Sequence, residues 1–237
     1  MTLTENQGSI KLLIFSYRTV FQSSNSSLIQ KLLVDIINKG YDKPRYKYNV
    51  IKSSRIKHSL EQDLGIENQL EFMICLCVHT DKQWMNYKNS KTGYKLIKPE
   101  DIEVEHIDIL DYFEVEELKD RVIGSIALKP YKDDNDMSLC MEITALTSFY
   151  PKMGKCLIEK IESYYVPLGK INKLYAHVIV NHDLVQFYEK LGFIVIGTSN
   201  IEVDPVTGLL VNGDKLEDDI LASQDFQLAK MYKEYRH

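Results

Sequence analysis

Tryptophan occurs once in this chain of 237 residues, at Trp84, and cysteine four times, at Cys75, Cys77, Cys140 and Cys156. The cysteines form no CxxC pair, and no histidine stands at metal-ligand spacing around them. This leaves no basis for a zinc site or a disulfide scaffold, so no metal is expected. Two of them lie in apolar strings, which reads as buried free thiols in a reducing compartment. No apolar run approaches the roughly 18 residues of a membrane span. The apolar stretch after Met1-Thr2-Leu3-Thr4-Glu5 is interrupted by Lys11 and Arg18, a poor secretory signal. The expected location is intracellular, in the cytoplasm, the nucleus or both, without membrane contact. GxSxG, HExxH, Walker and GxGxxG motifs are absent, as are internal repeats. Lone Trp84 reads as surface packing.

What is present is ordinary globular material, 44% hydrophobic and 27% charged, enough for one sizeable core. The formal net charge of −5 argues against general nucleic-acid binding. That charge is uneven. Pro99–Asp120 holds ten acids against Lys119 alone, a segment of −9 that leaves the rest of the chain at +4. Asp42–His58 carries Lys43, Arg45, Lys47, Lys52, Arg55 and Lys57 against one acid.

Element types alternate along the chain, which predicts α/β organisation. Strands are expected at 10–17, 71–80, 122–128, 137–146, 174–180, 193–203 and 226–235. Ser27 and Gln30 have capping-box spacing ahead of a stripe of Leu28, Ile29, Leu32, Leu33, Ile36 and Ile37. Gly40 is placed to end that helix, with a basic loop over 41–53. A short helix over 56–64 stops at Gly65. Residues 81–110 fit a hairpin or edge strands, with a turn at Lys91-Thr92-Gly93. Gly154 precedes a helix whose inner face is Leu157, Ile158, Ile161 and Tyr165. Asn181 is placed to N-cap another, with Leu184, Phe187, Tyr188 and Leu191 inward and Gly192 closing it.

The string Asn181-His-Asp-Leu-Val-Gln-Phe-Tyr-Glu-Lys-Leu-Gly-Phe193, between two strands, resembles a conserved segment of the GNAT acyl-CoA transferases. The upstream strand, loop, Gly154 and helix match as well, and VIGSIALKP (122–130) resembles that family's third strand. The resemblance spans residues 10–235. It implies a single GNAT-like domain over 1–237, α/β, with a mixed, mostly antiparallel central sheet, splayed middle strands and flanking helices. Insertions fall at 81–117 and 204–224.

The resemblance also implies a chemistry: transfer of acetyl from acetyl-CoA to an amine, such as a lysine side chain, a polyamine or another small amine, by direct attack. A pyrophosphate is well held by backbone N–H groups at a helix N-terminus. Ser148–Lys155 stands at such a junction, although the family's Q/R-x-x-G-x-G/A pattern keeps one glycine here. Gly154 as the second small residue puts Lys152 at the first glycine and Phe149 at Gln/Arg. Gly154 as the first puts Cys156 second and Pro151 at Gln/Arg. The implied cradle is Ala145, Leu146, Thr147, Lys152, Met153, Gly154, Lys155 and Cys156, with Asn181 near the pantetheine arm and the two lysines available to pair with phosphates.

Tyr188 is the implied general acid for the leaving thiolate. Glu142 is the candidate base, with His177 and His182 flanking the opposite strand end. The acidic stretches 99–120 and 204–224, with Asp214, Glu217, Asp218 and Asp219, would favour a cationic acceptor. The basic stretch would meet solvent, nucleic acid or the 3′-phosphate of CoA. The rival expectation is a non-catalytic CoA-binding or protein-interaction module with a degraded phosphate motif.

Overall fold

In a computed structural model the described residues are 9–80, 96–108, 110, 112–132, 139–211 and 220–235. Their chain order is β1 (Ile10–Ser16), α1 (Tyr17–Phe21), α2 (Ser26–Tyr48), α3 (Leu60–Leu64), β2 (Met73–His79), β3 (Ile102–Ile107), α4 (Tyr112–Leu118), β4 (Val122–Pro130), β5 (Cys140–Ser148), α5 (Met153–Tyr165), β6 (Lys173–Ile179), α6 (Leu184–Glu189), β7 (Ile194–Ile201) and β8 (Phe226–Glu234). The strands form one sheet in the order β3-β1-β2-β4-β5-β6-β8-β7. β1–β3 and β5–β6 are parallel and the other five pairings antiparallel, so the sheet is mixed and mostly antiparallel, as the resemblance implied. Trp84 and the Lys91–Gly93 turn lie outside the described residues.

The near-continuous apolar strands reflect burial on both faces. Alternate residues of β2 enter different cores: Cys75 and Cys77 pack towards α5, while Ile74, Leu76 and Val78 pack towards α2. Ile29, Leu32, Leu33, Ile36 and Ile37 of α2 fill one core, and Leu157, Ile158, Ile161 and Tyr165 of α5 the other. All four cysteines are buried free thiols. No described helix is long and apolar enough to cross a membrane.

Several local expectations are corrected. Asn25, not Ser27, precedes α2; its amide donates to the Leu110 carbonyl, and Gln30 donates to the Val20 carbonyl instead of closing a capping box. Gly40 does not end α2, and 41–48 is helix rather than basic loop. The helix stops at left-handed Asn49. Gly40 serves a close approach: a Cβ there would lie 2.3 Å from Thr147 Cγ2 on β5. The short helix begins at Leu60, capped by the Ser59 side chain, and ends at left-handed Gly65.

The middle of the sheet opens. β5 and β6 pair only at Cys140–Lys173, Met141–Leu174 and Glu142–Tyr175, after which they part. Just beyond, β5 bulges: Ser125 faces Thr147 and Ala127 faces Thr144, with Ala145 at φ +47°. Ser125 fixes the bulge, its hydroxyl donating to Ala145 O at 2.9 Å and its N–H to Thr147 Oγ1 at 3.1 Å.

The described parts of the segments 81–117 and 204–224 sit apart. β3 carries Glu103 and Glu105 at the sheet edge, four strand steps from β5, or roughly 19 Å at normal spacing. Its acids are partly paired, Lys11 with Glu105 at 2.8 Å. The segment after β7 instead docks near the opening. Ala222 bridges to Ile51, and Lys52 N donates to Leu221 O at 2.7 Å. Asp214, Glu217, Asp218 and Asp219 lie outside the described residues.

Candidate functional site

The site is assembled where β5 and β6 part. Beyond β5 the chain turns through Phe149–Lys152 into α5. Met153 N donates to Tyr150 O, and the helical ladder begins with Cys156 N to Lys152 O, both at 3.1 Å. The N–H groups of Gly154 and Lys155 therefore precede the ladder at the helix N-terminus. Lys152 holds φ +62°, a left-handed backbone that favours glycine. That conformation agrees with the register in which Lys152 stands at the first glycine of the motif.

Gly154 has an unforced backbone, and a Cβ there would meet Phe187 Cζ at 3.6 Å, with Leu146 Cδ2 and Ser148 Cβ at 4.0 Å. The protein's own packing therefore does not require glycine. Gly154 is buried, and its neighbours across that position belong to β5 and to α6. Lys152 and Lys155 are exposed, whereas Met153 and Cys156 are buried. Burial pushes the Cys156 thiol up to about 11, so it stays protonated. Of the implied backbone contacts, the Ala145 carbonyl is already engaged by Ser125, and Thr147 is buried beneath Gly40.

On the other arm, Asn181 does not cap a helix. Val180–His182 is a single 3-10 turn, left-handed Asp183 precedes α6, and Asn181 Oδ1 accepts from Gln227 N at 3.3 Å. His182 is buried, its ring stacked on Tyr48 of α2 at 4.9 Å. Its Nε2 is buried with no protein partner, and burial lowers its pKa, so the ring is neutral. An orphaned ring nitrogen at this position is a feature a ligand group would satisfy.

Tyr188 projects from α6 into the core between Phe187 and Phe193, both edge-on at 5.1 and 5.2 Å. Burial raises its phenol well above the ordinary value, with Tyr41 and Glu142 adding to the shift. The group is protonated throughout the working pH range.

Glu142 joins the two arms. Its Oε1 lies 3.1 Å from His177 Nδ1 on β6, and its Oε2 3.7 Å from Lys129 Nζ on β4. Burial pushes the carboxyl up, but the His177 hydrogen bond, Lys129 and Arg55 outweigh this and hold it below the usual range. Glu142 is thus an oriented carboxylate. Arg55 also donates to Asp63 O at 2.7 Å and reaches Thr144 Oγ1 at 3.4 Å. A depression of about 590 Å³ is lined by Glu67, Glu71, Lys129, Lys132 and Glu142 among others.

Glu142 and His177 therefore meet where β5 and β6 part, Tyr188 lies in the core within electrostatic reach of Glu142, and Gly154 and Lys155 open the helix that follows β5. Lys129 and Arg55 escaped the sequence reading, because β-register and a loop return carry no short-range signal. Among the described residues no cluster of three His, Cys, Asp or Glu could hold a metal ion.

Comparison with known proteins adds a family. The family described as sporulation protein RMD6 matches residues 1–235. Sporulation protein RMD6 of Saccharomyces cerevisiae is 28% identical over 211 residues, covering 85% of this chain and 86% of that one. Among solved structures, Arabidopsis thaliana NAA60 in complex with acetyl-CoA aligns with a TM-score of 0.47 at 12% identity, covering 95% of this chain and 98% of that one. An acetyltransferase of the GNAT family from Staphylococcus aureus Mu50 aligns with a TM-score of 0.44 at 13% identity, covering 95% and 99%.

Proposed function

The chain belongs to the sporulation protein RMD6 family, and for this member we propose transfer of an acetyl group from acetyl-CoA to a primary amine. One observation carries the reading. A parted β5–β6 pair has an unladdered helix N-terminus after β5, a Glu–His pair that joins the two strands where they part, and a buried tyrosine on the helix after β6. The sequence resemblance at Asn181–Phe193 supports it independently.

The N–H groups of Gly154 and Lys155 receive the donor's pyrophosphate, and the arm lies between Leu146 and α6 beside Gly154. The acceptor is a lysine side chain, a polyamine or another small amine, arriving along the depression that Glu142 lines. It arrives as an ammonium, and its proton passes to His177 Nε2 while Glu142 holds Nδ1. The freed nitrogen attacks the thioester carbonyl. The C–N bond forms, the C–S bond breaks, Tyr188 gives its proton to the departing thiolate, and the acylated nitrogen releases its second proton to solvent to leave the neutral amide. The imidazolium then returns a proton to the phenolate through solvent, which restores both groups.

Calorimetric titration with acetyl-CoA, followed by turnover of a panel of amines, tests the proposal. Binding with turnover is expected, and absence of binding overturns it. The second reading, a non-catalytic CoA-binding or protein-interaction module, draws on the single glycine left in the phosphate loop. Tight binding with no turnover of any amine would establish that reading instead.

A further inference from the structure

Resting on the acetyl-CoA reading, we propose that α2 supplies a row of lysines, Lys39, Lys43 and Lys47, that grips the donor's phosphates in place of the missing loop glycines. The spacing i, i+4, i+8 puts the three on one face of the helix, and all are exposed. By the helical period the row continues the azimuth of the buried Ile29, Leu32 and Ile36, so it lies on the side of α2 turned towards the sheet while remaining exposed.

Both ends of the row are fixed against the site. Lys39 Nζ lies 5.8 Å from the ring of Phe149, the first residue of the phosphate loop. Lys47 donates to the Tyr48 hydroxyl, which in turn bonds Asp183 just before α6. The row thus runs from the loop after β5 to the loop after β6, with Lys43 between them. Nine residues of helix carry it across about 12 Å. α2 can lie this close because Gly40 lets it settle on Thr147.

Nearby acids leave the row largely uncompensated. Asp42 is taken by Arg45 at 2.7 Å, and Asp183 accepts from Tyr48. On the other side of the opening Lys152 and Lys155 are also exposed, Lys155 facing Glu159 at 3.4 Å. Lysines are point charges that need no fixed backbone geometry, so a cationic rim tolerates the loss of loop glycines. Burial of neighbouring Tyr48 against His182 sets the far end of the row, and the orphaned His182 nitrogen lies on the same path.

The test is calorimetry on the full chain with acetyl-CoA and with its 3′-dephospho form, at several salt concentrations. Lys43→Glu and the pair Lys39→Gln, Lys47→Gln are compared with the parent, with thermal melts to verify folding. Lys43→Glu is expected to weaken acetyl-CoA binding about tenfold or more and to flatten its salt dependence. The 3′-dephospho ligand should lose less. Lys43→Gln replaces Lys43→Glu if the melt shifts. Unchanged affinity and unchanged salt slope in the variants overturn the lysine row and leave the acetyltransferase reading standing. Failure of the parent to bind acetyl-CoA overturns that reading first, and the row with it.

Discussion

His177 Nδ1 lies 3.1 Å from Glu142 Oε1 at the place where β5 and β6 stop pairing. The contact joins the two arms of the opening and leaves His177 Nε2 as the ring's other proton site. Loss of the imidazole in His177→Gln should lower kcat on the order of 10²-fold and leave the acetyl-CoA affinity unchanged. The groups facing His177 include Glu142, Lys129 through that carboxylate, Lys230 opposite it on β8, and the Tyr131 ring at 5.9 Å. Turnover by His177→Gln at the parent rate would reassign the proton acceptor.

Glu142 also affects stability. Its folded pKa lies below the unfolded value, so it stabilises the fold above about pH 4.3 and loses that effect as pH falls through the folded value. Glu142→Gln should cost about 1–2 kcal/mol at neutral pH. The deficit should shrink in urea melts as pH falls below the ordinary glutamate value and the parent carboxylate protonates. A deficit that persists in acid would mean that shape, not charge, holds the two strands there.

Tyr188→Phe keeps the ring between Phe187 and Phe193 and removes only the hydroxyl. The expected result is a kcat loss of roughly 10²-fold at unchanged KM for the amine. Because burial holds the phenol protonated, no basic limb from Tyr188 should appear below pH 10. Turnover at the parent rate would remove the acid assignment.

The strands and the two core faces were legible because β2 alternates Cys75 and Cys77 with Ile74, Leu76 and Val78, and the helical stripes are regular. Tyr188 and Gly154 were singled out through the resemblance alone. Gly40 was misread because glycine ends helices when it takes positive φ, and nothing local distinguishes that use from close packing against Thr147. Asn181 was misread because a 3-10 turn intervenes before α6. The partnership of Glu142 with Lys129 needs the β4–β5 register, which the 12 intervening residues do not encode locally.

The Gly40–Thr147 contact makes its own prediction. Gly40→Ala gains about 1 kcal/mol of helix propensity, but its Cβ would lie 2.3 Å from Thr147 Cγ2 and 2.5 Å from Cβ. The clash should dominate, with a net destabilisation of about 1–2 kcal/mol. Thr147→Ser removes Cγ2 but keeps the hydroxyl that accepts from Ser125 N. The double variant should recover part of the loss, and a non-additive cycle in urea denaturation checks it. Strict additivity would mean that α2 shifts as a whole.

Gly154 separates folding from ligand binding. Its Cβ position has ordinary clearance, 3.6 Å to Phe187 and 4.0 Å to Leu146 and Ser148, and its φ is not left-handed. Gly154→Ala should therefore fold normally and gain up to about 0.5–1 kcal/mol from helix propensity. The same methyl would occupy the space assigned to the donor's arm and crowd the Gly154 N–H. Acetyl-CoA affinity should fall on the order of tenfold while the melt rises or holds. A stable Gly154→Ala variant that binds acetyl-CoA as tightly as the parent would place the donor elsewhere. A destabilised one would show that the glycine serves the fold.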